Sequence, residues 1–119
     1  YQPGGPLAAG FLDRLPDYTE VRAGTARRSR LSPDAPAIVF WVHFFGLQAG
    51  DRIELSIDSP DGSELIEATH LMPRNRATEF RAVGRKWRAD WKSGRYRGEA
   101  RLVRDGAVIN RIASELGIR

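Results

Sequence analysis

The sequence predicts an all-β protein: an immunoglobulin-like β-sandwich of about seven antiparallel strands behind an irregular N-terminal arm. Three observations lead there. From Ala37 onward, short runs rich in β-branched and aromatic residues recur. Gly, Pro and Asp turn signals separate these runs at a spacing of roughly 8–12 residues. The chain is 119 residues long, which is enough for one domain with its own core.

The elements follow in chain order. Residues 1–18 read as a linker or arm and residues 19–119 as the sandwich domain. Tyr1 to Pro6 holds two prolines and two glycines and cannot sustain a helix or a central strand. Leu7 to Leu15 reads as a short helical turn stopped by Pro16, Thr19 to Ala23 as a short strand, and Ala26 to Pro36 as loop. Ala37 to Phe45 is apolar on both parities, so it is a strand covered on both faces. Arg52 to Asp58 alternates, with Ile53, Leu55 and Ile57 inward. Ser59-Pro60-Asp61-Gly62 is a turn, and Glu64 to Leu71 returns from it. Thr78 to Val83 is a further strand, and Gly84 to Gly94 a crossing loop. Arg95 to Arg104 alternates strictly and opens with Tyr96, at the place of a corner-locking tyrosine. Asp105-Gly106 is a two-residue hairpin turn, Ala107 to Ile112 the last strand, and Ser114 to Arg119 a tail. The expected core is Ile38, Phe40, Val42, Phe44, Ile53, Leu55, Ile57, Phe80, Tyr96, Ala100 and Leu102.

Composition narrows the chemistry. There is no cysteine, which excludes a disulfide scaffold, thiol catalysis and a Cys-type zinc site. The apolar run Ala35 to Leu47 is interrupted by Pro36, His43 and Gly46 and is too short for a membrane-spanning helix. No signal segment is readable, and a start at Tyr1 reads as a processed chain or a piece of something longer. The net charge of +4 is lopsided: residues 1–60 carry 6 basic and 7 acidic side chains, residues 61–119 carry 13 and 8. A basic half points either to a polyanion partner or simply to an arginine-coated sheet.

Catalytic patterns are missing. The two histidines, His43 and His70, stand apart, with no His-x-His and no clustered carboxylates. No Gly-x-Ser-x-Gly elbow and no phosphate loop occurs, so the catalytic and metal-binding assignments are none. One constellation has a functional flavour. Arg85, Lys86, Trp87, Arg88, Trp91, Lys92, Arg95 and Arg97 interleave cations with aromatics, a pattern that grips phosphates, bases or sugar rings. The competing reading is two tryptophans capping the sandwich, with arginines reaching into solvent. No zinc-finger, helix-turn-helix or RNA-binding signature supports nucleic acid.

The string VGRKWRADWKSGRYRGEARLVRDGAVI (Val83 to Ile109) resembles a segment near the C-terminus of proteobacterial lysostaphin-type zinc metalloendopeptidases. Ala8-Ala9-Gly10-Phe11, Ala49-Gly50-Asp51 and Ser59-Pro60-Asp61-Gly62 are similar to the linker and sandwich that follow the peptidase domain in that family. The resemblance implies a non-catalytic accessory domain in the periplasm or cell envelope. It would position or dock on an adjacent domain that cleaves peptidoglycan cross-links. The family holds zinc with a His-x-x-x-Asp and a His-x-His element, and neither occurs here, so no cofactor is expected in this chain. The alternative is a free-standing binding module for an anionic wall polymer, a glycan or a protein partner. Self-association through an exposed strand edge is a further option.

Overall fold

The computed structural model describes residues 4–23, 27–86 and 92–119. Gly5–Leu12 (β1), Ala37–Leu47 (β3) and Arg76–Lys86 (β6) form one sheet, in the order β1-β3-β6. Arg30–Leu31 (β2), Arg52–Asp58 (β4), Glu64–Leu71 (β5), Gly94–Arg104 (β7) and Ala107–Ile118 (β8) form the other, in the order β2-β8-β7-β4-β5. A six-residue helix, Tyr18–Ala23 (α1), lies between β1 and β2. All pairings are antiparallel except that of β2 with β8.

β3 explains the layering. Its even-numbered side chains Ile38, Phe40, Val42 and Phe44 are fully buried between the sheets, against Ile53, Leu55 and Ile57 of β4 and Ala100 and Leu102 of β7. Each such side chain contributes about 1.5–3 kcal/mol by leaving water. β7 makes room for Phe40 with Gly98, where an added Cβ would lie 2.6 Å from the ring. The odd-numbered face of β3 is covered by α1 and the end of β1. Trp41 packs there with Leu12 and Val21, flanked by Ala8, Phe80 and Ala82. Phe80, expected in the main core, belongs to this outer cluster because its partner across the ladder is His43, on the outward parity.

Several elements differ from the sequence expectation. The segment Leu7 to Leu15 holds no helical turn. Gly5–Leu12, assigned to the arm, is a strand antiparallel to β3, with a register shift between Pro6 and Ala8. Pro and Gly are compatible with it because β1 is an edge strand, where a missing donor breaks no ladder. Thr19 to Ala23 lies in α1 and is not a strand. Asp17 starts that helix, and the Asp17 amide donates to Glu20 Oε1 at 3.1 Å. This is the return bond of a capping box, flanked by buried Pro16 and Val21. β6 continues through Gly84, Arg85 and Lys86, in place of the expected loop, because they pair with Val39, Ile38 and Ala37. β8 runs through the expected tail to Ile118, held by β7 and by β2.

The predicted turns stand where they were placed. Asp105 and Gly106 have φ of 53° and 79°, as a primed hairpin turn requires. Gly62 has φ of 86° and its amide donates to the Ser59 carbonyl at 2.9 Å.

Candidate functional site

The arginine-rich stretch falls into separate places. Arg85 and Lys86 end β6 in the first sheet. Trp87, Arg88 and Trp91 lie outside the described residues. Lys92 is tied to the β4–β5 turn, with its Nζ 2.6 Å from Asp61 Oδ2. Asp61 also accepts the Ser63 amide at 2.9 Å and the Ser63 hydroxyl at 2.6 Å. Lys92 and these two donors hold the Asp61 carboxyl far below the usual carboxylate range. The Lys92 carbonyl accepts the Tyr96 hydroxyl at 2.7 Å, and Tyr96 is 2% exposed, so the expected corner tyrosine is in place.

Arg95 and Arg97 belong to β7 in the second sheet, whose outer face is an ion lattice. Arg95 pairs with Glu115 at 3.2 Å and Arg97 with Glu99 at 3.2 Å. Arg101 joins Glu99 to Glu54, and Arg52 closes on Glu54 at 3.1 Å. The Arg101 guanidinium holds Glu54 below its ordinary value despite partial burial. Glu99 feels burial first, which raises it, but Arg101 and Arg97 together outweigh that and lower it. Exposed pairs of this kind contribute about 0–1 kcal/mol each and compensate one another's charge. The described candidates therefore divide between two sheets and one turn, and do not make a single row.

Arg85 and Lys86 stand out because, among the described residues, no ion pair engages either. They border an open depression of about 320 Å³ on the outer side of the first sheet, together with Leu15, Val39, Ala82 and Gly84. Leu15 is 69% exposed at its rim. The sequence reading missed Leu15 because it placed that residue inside a helical turn. The available signal was a large apolar residue standing just ahead of Pro16 and the Asp17–Glu20 cap. Two further depressions, of about 450 and 460 Å³, share Arg119 and are lined by side chains of both charge signs.

The histidines do not converge. His43 Nε2 lies 3.4 Å from the Tyr18 hydroxyl, with the rings edge to face, on the outer side of β3. His70 is on β5, opposite Ile53, in the other sheet. Among the described residues no three His, Cys, Asp or Glu side chains come together as a metal site. Among the described residues the most buried carboxylate, Asp51, is 1% exposed and takes the Arg104 guanidinium in a two-pronged pair at 2.8 and 2.7 Å. It also accepts the Gln48 amide at 2.8 Å, while Arg104 reaches the Gly46 carbonyl at 3.0 Å. That arrangement locks the β3–β4 corner and uses up its charges.

No family model matches the chain and no curated protein matches it. Among solved structures, the CARDB domain of a Pyrococcus furiosus protein, determined in complex with di-metal ions, is similar, with a TM-score of 0.52. The match covers 76% of this chain and 80% of that one, at 12% sequence identity. The chain is an immunoglobulin-like β-sandwich. At that identity the likeness reaches the fold and stops there. Among the described residues no helix is long and apolar enough to cross a membrane.

Proposed function

We propose that the chain is a non-catalytic accessory domain of a cell-envelope zinc endopeptidase acting on peptidoglycan, and that it positions or docks on the catalytic domain. The observation that carries this reading is the Val83–Ile109 string. Its described residues take in the end of β6 in one sheet and the Tyr96 corner and β7–β8 hairpin in the other. The zinc would belong to the neighbouring domain, because His43 and His70 sit on different sheets and the described residues offer no ligand cluster. The test is to incubate the purified chain with cross-linked muropeptides and with zinc. The reading expects intact muropeptides and no tight zinc binding. Cleavage with one tightly held zinc overturns it.

A second reading is a free-standing module that grips an anionic wall polymer, a glycan or a protein partner. Arg85 and Lys86, which form no ion pair among the described residues and border the depression beside β6, favour it. Co-sedimentation with sacculi over a salt series tests it, since phosphate- or carboxylate-directed contacts weaken as salt rises. Binding that survives Arg85→Ala with Lys86→Ala removes these two residues from consideration.

A further inference from the structure

We infer that the free edge of β6 and the depression beside it form a docking surface for an extended partner segment in which apolar and acidic residues alternate. The inference goes beyond the accessory-domain reading, because a free-standing module would use the same surface.

Among the described residues β6 is the last strand in its sheet, so one row of its N–H and C=O groups faces away from β3. A segment laid along that row would extend the ladder, and its side chains would fall alternately on the two faces of the sheet. The outer-face positions meet Phe80, Ala82 and Gly84, which the register places beside His43, Trp41 and Val39. The floor there is Val39 and Ala82, and exposed Leu15 is the wall. Gly84 keeps the floor open: a Cβ would meet the Ile38 carbonyl oxygen at 2.9 Å and Val39 Cγ2 at 3.1 Å. An apolar side chain of about Val or Leu size suits this opening. The inner-face positions meet Arg85, opposite Ile38, and Arg81, opposite Val42, which Glu79 on the same face already holds at 3.0 Å. Lys86 stands at the strand end, on the outer parity with Gly84, and among the described residues neither Arg85 nor Lys86 has an ion pair. A neutral side chain beside Arg85 would leave its charge uncompensated and a basic one would repel it, whereas a carboxylate answers it. The edge thus resists indiscriminate strand pairing through its charges and selects a partner of opposite sign.

The probe is the acetylated, amidated peptide Val-Glu-Val-Glu-Val-Glu-Val, titrated into isotope-labelled chain by NMR, with Val-Lys-Val-Lys-Val-Lys-Val as the control. The expected result is a dissociation constant of about 100 μM with amide shifts concentrated on residues 76–86 and Leu15. Affinity should drop as salt rises, by about tenfold in Arg85→Glu/Lys86→Glu, and several-fold in Leu15→Ser, whose site is exposed and leaves the charges intact. The lysine peptide should not bind. No shifts at millimolar peptide, shifts centred on another strand, equal binding of the lysine peptide, or charge-reversed protein that binds unchanged would each overturn the inference. So would a chain that forms dimers through β6 and thereby excludes the peptide.

Discussion

Tyr96 donates its hydroxyl to the Lys92 carbonyl from a site that is 2% exposed. Tyr96→Phe keeps the ring and removes only that bond. The expected loss is about 1 kcal/mol, read as a lower urea midpoint with an unchanged slope. An unchanged midpoint would mean the corner bond does not hold this end of the sandwich. Asp51 and Arg104 present a larger case. Asp51→Ala leaves the Arg104 guanidinium, whose side chain is 14% exposed, without its carboxylate. Breaking one half of such a pair costs about 3–5 kcal/mol. The double variant Asp51→Ala/Arg104→Met should recover part of that loss, because it removes the stranded charge, and a denaturation series over the three proteins measures it. Gly98 is a third such position. Gly98→Val must displace the Phe40 ring, and overpacking of this kind costs about 1–3 kcal/mol.

At the scale of elements, the sequence was most readable where side-chain alternation and turn chemistry agree. Arg52–Asp58 and Glu64–Leu71 are strands with the boundaries the alternation predicts, and the Asp105-Gly106 hairpin has the predicted backbone. Apolar residues on both parities of β3 correctly signalled a second cover, but not its identity. That cover is α1 with the end of β1, and the short length of α1 hid it. The helix is specified by the Asp17–Glu20 capping box and by Val21 packing on Trp41, not by a long amphipathic period. Arg14 adds a two-pronged pair to Glu20 at 2.9 and 2.7 Å, which with the Asp17 amide lowers the Glu20 carboxyl to about 2. Trp41→Ala empties the space between β3 and α1 and should cost about 3–5 kcal/mol, with amide exchange rising first in α1. Loss of stability without faster exchange in α1 would mean the helix is held by something other than Trp41. The ends of β6, an edge strand, and of β8, flanked at its end by the two-residue β2, were not readable because their polar and glycine residues look like loop. Only their partners, Val39 for Gly84 and Tyr96 for Leu116, show that the strands continue. The arginine stretch was readable as cationic, but its division between two sheets depends on the register and on ion pairs formed across strands.

For the whole molecule, the same carboxylates set the response to acid. Asp51, Glu54, Asp61, Glu99 and Glu20 are all held below their ordinary values. For Asp51, burial acts to raise the value, and Arg104 with the Gln48 amide outweighs it. A depressed folded-state value means the unfolded chain binds protons first. The stabilisation is therefore fully present above the unfolded values of 3.8 for Asp and 4.5 for Glu, and is lost as the pH falls below them. Urea midpoints should be flat from neutral pH to about pH 5 and fall steadily towards pH 2, with a shallower fall in Asp51→Ala/Arg104→Met. A midpoint that rises on acidification would contradict this. The fold that these charges support is a compact module whose distinctive free surface lies beside β6, and the accessory-domain reading gives that surface an adjacent domain to meet. The most direct measurement of that reading is the size and metal content of the native gene product, detected with an antibody raised against this chain. A product well above 13.3 kDa that carries zinc is the predicted result. A stable product near 13.3 kDa, with no larger precursor and no zinc, would contradict the account and leave the free-standing binding module in its place.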